Sequence, residues 1–182
     1  MSSWGATDAN EAKPKWLTAA QKTDTFADSR GWVYRDPNTG LEEVLVAIGQ
    51  LSSAAKLNIA DVTAVNFTTT SLSEAAGGNI DIAVSFNEKI TVTGSPTITV
   101  TNDQAGSGTD ATFTATYQSG SGRNKLTFRA TYAAADGGVA EDDVLSIADQ
   151  NIALAGGTLV DGEAQNAAVA IAGVTSTLTI SA

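Results

Sequence analysis

The chain contains no cysteine and no histidine. Without cysteine there are no disulfides and no thiolate metal sites, so stability must come from packing. Without either residue, Ser-His-Asp and Cys-His nucleophile systems are excluded, as are His-based zinc centres. Positive charge is also scarce. Ten Lys/Arg face twenty Asp/Glu, for a formal net charge of −10, and no basic stripe is present to neutralise a run of phosphates, so nucleic acid is not an expected partner. No apolar run has the length of a membrane span, so a membrane is not expected either. The opening Met-Ser-Ser-Trp-Gly-Ala-Thr-Asp lacks the basic and apolar regions of a secretory signal, which leads to the expectation of synthesis in a cytoplasm.

What is present is unevenly distributed. All three tryptophans, Trp4, Trp16 and Trp32, fall in the first 32 residues, ahead of a long β-patterned stretch that has none. The charge is divided in the same way: residues 63–182 hold four Lys/Arg and twelve Asp/Glu, whereas residues 1–62 hold six and eight. The expected organisation is an N-terminal arm and anchoring region over 1–61, followed by a β-sandwich domain over 62–182. A domain of that size can bury roughly two thirds of its unfolded surface and needs no covalent staple.

Within the leader, residues 1–17 show neither helical nor strand periodicity and carry Pro14, which predicts an extended arm. Thr18 and Gln21 have capping-box spacing and Gly31 stands where a helix can stop, which predicts a short helix over about 19–29. Gly31–Arg35, the turn-rich Asp36-Pro37-Asn38-Thr39-Gly40 and Leu41–Ile48 read as a β-hairpin. Leu41, Val44, Leu45, Ile48 and Leu51 also match helical spacing, so a helix from Leu41 is the competing expectation.

From Val62 the period is two. Ile80, Ile82, Val84 and Phe86 share one face, and the pattern recurs at Ile90/Val92, Ile98/Val100, Phe113/Ala115/Tyr117, Leu126/Phe128/Ala130/Tyr132 and Leu178/Ile180. The alternate positions are often threonine, whose branched side chain suits the solvated face of a strand. Glycine-rich turns, among them Gly94-Ser95-Pro96, Gly106-Ser107-Gly108, Gly120-Ser121-Gly122 and Asp136-Gly137-Gly138, punctuate these runs. The fold class expected is all-β, an antiparallel sandwich.

The segments SFNEKITVTGSPTITV (85–100), ATYQSGSGRNKLTFRATY (115–132) and IALAGGTLVDGEAQNAAVAI (152–171) resemble, in order, bacterial immunoglobulin-like domains of surface-layer and adhesion proteins. That resemblance implies an immunoglobulin-like sandwich in which the first strand ends in a Phe-x-Glu turn at 86–88. The leader segments WGATDANEAKPKWLTAAQ (4–21) and GWVYRDPNTGLEEVLVAIGQL (31–51) resemble the N-terminal region of virion structural proteins from tailed phages of marine cyanobacteria. The implied role is a head-decoration-like protein located on the capsid surface, non-enzymatic and without a cofactor. Its partners would be the major capsid protein or another virion protein, and it would form a homo-oligomer, a trimer being one option. A carbohydrate-recognising binding module is the alternative.

Glu141, Asp142 and Asp143 form the densest acidic cluster. A glycosidase would need two carboxyls about 5–10 Å apart across a sugar cleft, and Ca²⁺ would need six to eight oxygens, to which Asp149, Asn151 or Asp161 could add. The plain expectation is a hydrated loop. The residues expected to engage a partner are Trp4, Lys13, Lys15, Trp16 and Trp32, because a buried indole removes roughly 150–250 Å² from water and flanking lysines can meet acidic groups; local packing of arm, helix and hairpin onto the sandwich is the competing expectation, above all for Trp32.

Overall fold

The computed structural model of the chain describes residues 13–28, 30–47, 59–102, 111–134, 139–162, 164–172 and 176–181. Trp4, most of the expected arm, and the turns at 106–108 and 136–138 lie outside the described residues. The fold is all-β, a sandwich, with one short helix among the described residues.

The helix α1 spans Ala19–Thr23 and starts with the anticipated capping box: Gln21 N–H donates to Thr18 Oγ1 at 3.3 Å, and Thr18 N–H to Gln21 Oε1 at 3.0 Å. It does not run on to residue 29. Its residues are all exposed or half-buried, so no apolar face sustains it, and after Asp24 the chain becomes the strand β1 (Thr25–Asp28), which buries Phe26 and Ala27. Gly31, expected to terminate a helix, instead opens β2 (Gly31–Arg35) at φ 128°, where a Cβ would lie 1.9 Å from the Val46 carbonyl oxygen. Only glycine fits there.

The hairpin forms as a strand pair. β2 is antiparallel to β3 (Glu42–Ala47), with Arg35 opposite Glu42 and Tyr34 opposite Glu43, so the helical alternative fails over 42–47. Asp36 Oδ1 accepts the Asn38 and Thr39 amides at 2.8 and 3.1 Å and closes the intervening turn. Leu45 has no opposite residue on β2, a bulge that sets Trp32 against Val46 and Val33 against Val44. Trp32 and Val33 are consecutive in a strand, hence on opposite faces, and both are buried.

The remaining strands are β4 (Val62–Phe67), β5 (Leu72–Ser73), β6 (Gly78–Thr93), β7 (Thr97–Asn102), β8 (Ala111–Ser119), β9 (Arg123–Tyr132), β10 (Val144–Ser146), β11 (Gln150–Asn151), β12 (Thr158–Val160), β13 (Ala170–Ile171) and β14 (Thr177–Ser181). Along the ladder the order is β3-β2-β1-β6-β9-β8-β7-β10-β14-β5. β4 and β12 also pair with β6, and β11 pairs with β13. The expected antiparallel sheet is in fact mixed, because β1 pairs parallel with β6 and β14 parallel with β5.

The alternation read from the sequence builds the core. Ile80, Ile82, Val84, Phe86 and Ile90 of β6 pack with Ile98, Val100, Leu126, Phe128, Leu145, Ile147 and Ile180 in one cluster of almost fully buried side chains. Tyr117 and Phe128 meet edge to face at 6.0 Å. The Phe-x-Glu turn implied by the immunoglobulin-like resemblance is absent. Residues 86–89 stay within β6 but leave the β9 ladder, whose register jumps from Ser85↔Lys125 to Ile90↔Arg123. This gap is where the leader enters: β1 takes up pairing with β6 at Ala27↔Glu88.

Candidate docking surface

The leader is joined to the sandwich by a set of contacts around that gap. The Asn124 side chain is 3 % exposed, and its Nδ2 donates to the carbonyls of Thr23 at 3.1 Å and Phe86 at 3.5 Å, bridging the end of α1 to the bulged part of β6. Lys125 pairs with Asp24. Lys89 Nζ sits 3.3 Å from Glu42 Oε1 and 3.9 Å from Asp28 Oδ2, while Arg30 reaches Asp28 and Glu42 at 2.6 Å each. The Arg30 hydrogen bond is the main cause holding the Glu42 carboxyl below its ordinary range. For Asp28, burial pushes upward, but the side-chain and backbone hydrogen bonds from Arg30 outweigh it and the net shift is downward. Within the anchoring region expected at 1–61, the strands β1, β2 and β3 are therefore joined in one sheet to the sandwich, β1 pairing with β6.

The residues expected to meet a partner divide accordingly. Trp32 is 3 % exposed and Lys13 is 1 % exposed, so both are withdrawn into the chain itself, which corrects the expectation that they face a partner. Lys13 Nζ donates to the Lys22 carbonyl at 2.6 Å, at the C-terminal end of α1. Burial pulls its pKa down to about 8, against the opposing pull of Asp24, with Lys22 lowering it further. Lys13 flanks Trp16 in a polar stretch, where the sequence carries no mark of burial; its contact with the end of α1 shows it.

Trp16 and Lys15 remain outside. Trp16 is 70 % exposed and Lys15 is exposed. Leu41, Val44 and Val46 of the hairpin and Ile59 beyond it are also exposed. Among the described residues these five are the exposed large hydrophobics, and all of them precede Val62. The apolar side of β3 carries no mark of its exposure in the sequence, since an alternating strand looks the same whether its second neighbour is present or absent, and among the described residues β3 pairs with β2 alone.

Within the acidic cluster, Asp143 is a structural link. Asp143 Oδ2 accepts Asn102 Nδ2 at 2.7 Å and the Ala140 amide at 2.8 Å, while the Asp143 carbonyl accepts the Ile180 amide at 2.8 Å, tying β7 and β14 to the turn before β10. Among the described residues no group of three or more acidic side chains is placed to hold a metal ion.

No family model, curated protein or solved structure matches this chain.

Proposed function

We propose that the chain is a non-catalytic structural protein of a tailed-phage virion, docking on the capsid through its N-terminal region and displaying its sandwich outward, as a homo-oligomer. The observation that carries this reading is the confinement of exposed large apolar side chains to the leader and its junction, with none among the described residues of the sandwich. Soluble proteins scatter single exposed hydrophobics, whereas their concentration in one region marks an interaction surface. Covering what remains exposed of Trp16 would remove on the order of 100–175 Å² from water, roughly 3–4 kcal/mol at about 25 cal/mol per Å². The acidic remainder keeps a displayed surface soluble and self-repelling. The resemblance of residues 4–21 and 31–51 to cyanophage virion proteins supplies the identity of the assembly.

The test is decoration of capsids that lack the chain, measured by cryo-electron microscopy as occupancy. Because residues 23–47 belong to the fold, the informative variant is the surface triple Trp16→Ala, Leu41→Ser, Val44→Thr. Occupancy should fall sharply with the melting temperature retained. Full occupancy by the triple variant, or no binding of the native chain to any particle, would overturn the docking role.

A further inference from the structure

A cleft of about 470 Å³ opens where the leader hairpin meets the β8–β9 turn. Its lining includes Arg35, Arg123 and Lys125 together with Asp24, Asp36 and Ser119. In a chain of net charge −10 this is a concentration of cations in one concave place. Two of the charges cancel, since Lys125 and Asp24 form an ion pair. Asp36 accepts two backbone amides of its own turn at Oδ1. Among the described residues the one ion-pair contact of Arg35 is to Glu42, at 3.9 Å, the outer limit of an ion pair. Arg123 has no ion-pair partner among the described residues.

The turn that carries Arg123 is built for this shape. Gly120 has φ 112°, and a Cβ there would lie 2.3 Å from the Lys125 carbonyl oxygen, so the Ser119–Gly122 turn folds tightly and the Arg123 amide donates to the Gly120 carbonyl at 2.9 Å. Ser121 N–H donates to Tyr117 Oη at 2.8 Å and Ser121 Oγ accepts the Val92 amide at 3.0 Å, which fixes the turn against β6 and β8. One wall of the cleft is thus held by the sandwich and the other by the Asp36–Gly40 turn.

We propose that this cleft binds a sugar unit bearing a single negative group, a carboxylate or a sulfate ester. The guanidinium forks of Arg123 and Arg35 match the planar or trigonal oxygens of such a group, in a space whose size is that of a small-ligand site. Ring hydroxyls donate to the Asp36 carboxylate and exchange hydrogen bonds with Ser119, both of which line the cleft. The same Asp36 carboxylate repels a multiply charged phosphate, which separates an acidic sugar from a nucleotide or polyphosphate. The inference does not depend on the capsid-docking role, because the cleft residues are distinct from Trp16 and the exposed edge of β3.

The experiment is saturation-transfer NMR and calorimetry on the full chain with methyl glucuronide, a 6-sulfated glucose, methyl glucoside and inorganic sulfate. Binding of at least one acidic sugar, without binding of the neutral glucoside, is expected. Arg123→Gln should weaken it about ten-fold or more, since a hydrogen bond to a charged group contributes roughly 1.5–3 kcal/mol. Lys15→Gln, away from the cleft, should leave it unchanged. Arg123 is exposed, so its loss should not unfold the chain; a melting curve checks this, and Arg35→Gln gives an independent second variant. Equal binding of neutral and acidic sugars, binding of inorganic sulfate alone, no binding at millimolar ligand, or full binding by both arginine variants would each overturn the proposal.

Discussion

Lys89 Nζ lies 4.8 Å from the centre of the Phe26 ring, so the cation of the central strand β6 covers the aromatic residue that the leader contributes to the junction. The same ammonium reaches Glu42 and Asp28, which joins one residue of the sandwich to β1 and β3 at once. Lys89→Ala should cost about 1–2 kcal/mol, given the modest worth of a half-exposed cation–π contact and of a surface ion-pair network. Urea unfolding would measure the loss, and hydrogen exchange would place it in residues 25–47 before the rest of the chain.

Asn124→Ala removes a buried amide that fills the break in the β6–β9 ladder. The Thr23 and Phe86 carbonyls lose their donor, and the expected destabilisation is about 1–3 kcal/mol. Asn124→Asp, which keeps the size but offers no amide donor, should be at least as costly. A change below about 0.5 kcal/mol in thermal unfolding would show that the bridge contributes little to joining leader and sandwich.

Acid should loosen the chain at two places. Asp28 and Glu42 around Arg30, and Asp81 through its hydrogen bonds from Arg129 at 2.6 and 2.8 Å, all titrate below their ordinary values of 3.8, 4.5 and 3.8. Folded values below unfolded ones mean stability that is fully present above about pH 4.5 and is lost as pH falls through the depressed folded values. Arg129→Met should flatten part of this acid slope, measured as unfolding free energy between neutral pH and about pH 2.

Alkali should act in the opposite sense on Lys13. Its folded pKa of about 8 lies below the ordinary 10.5, so the unfolded chain binds more protons between those values and stability rises with pH across that window. The rise is on the order of 3 kcal/mol at most. Lys13→Met should abolish this rise while changing stability little at neutral pH, because the lost hydrogen bond to Lys22 and the relieved burial of a charge oppose one another. Equal pH slopes for the native chain and the variant would contradict the buried position of Lys13.

Trp16→Ala should leave folding within about 0.5 kcal/mol of the native value, as its ring is mostly in solvent. Its fluorescence should be strongly quenched by acrylamide, and attachment to a particle should remove that quenching. Quenching that persists on decorated particles would exclude Trp16 from the interface.

Much of the strand content was legible because a strand buried on one face writes its period directly into the chain. Ile80 to Phe86, Leu126 to Tyr132 and Leu178/Ile180 alternate in the sequence, and their apolar members fill the core. The capping box gave the start of α1 but not its end, since Phe26 gains burial only when β6 is already beside it.

The sequence alone determined the all-β class, the hairpin turn and the absence of thiol and imidazole chemistry. Tertiary structure alone decided that Trp32 and Lys13 face inward, that β6 runs unbroken through Phe86–Lys89, and that Arg35 and Arg123 line one cleft. The reason is sequence distance. Alternation, caps and tight turns are set by residues a few positions apart, whereas the Asn124–Thr23 and Lys89–Phe26 contacts join segments that only the folded sheet brings together.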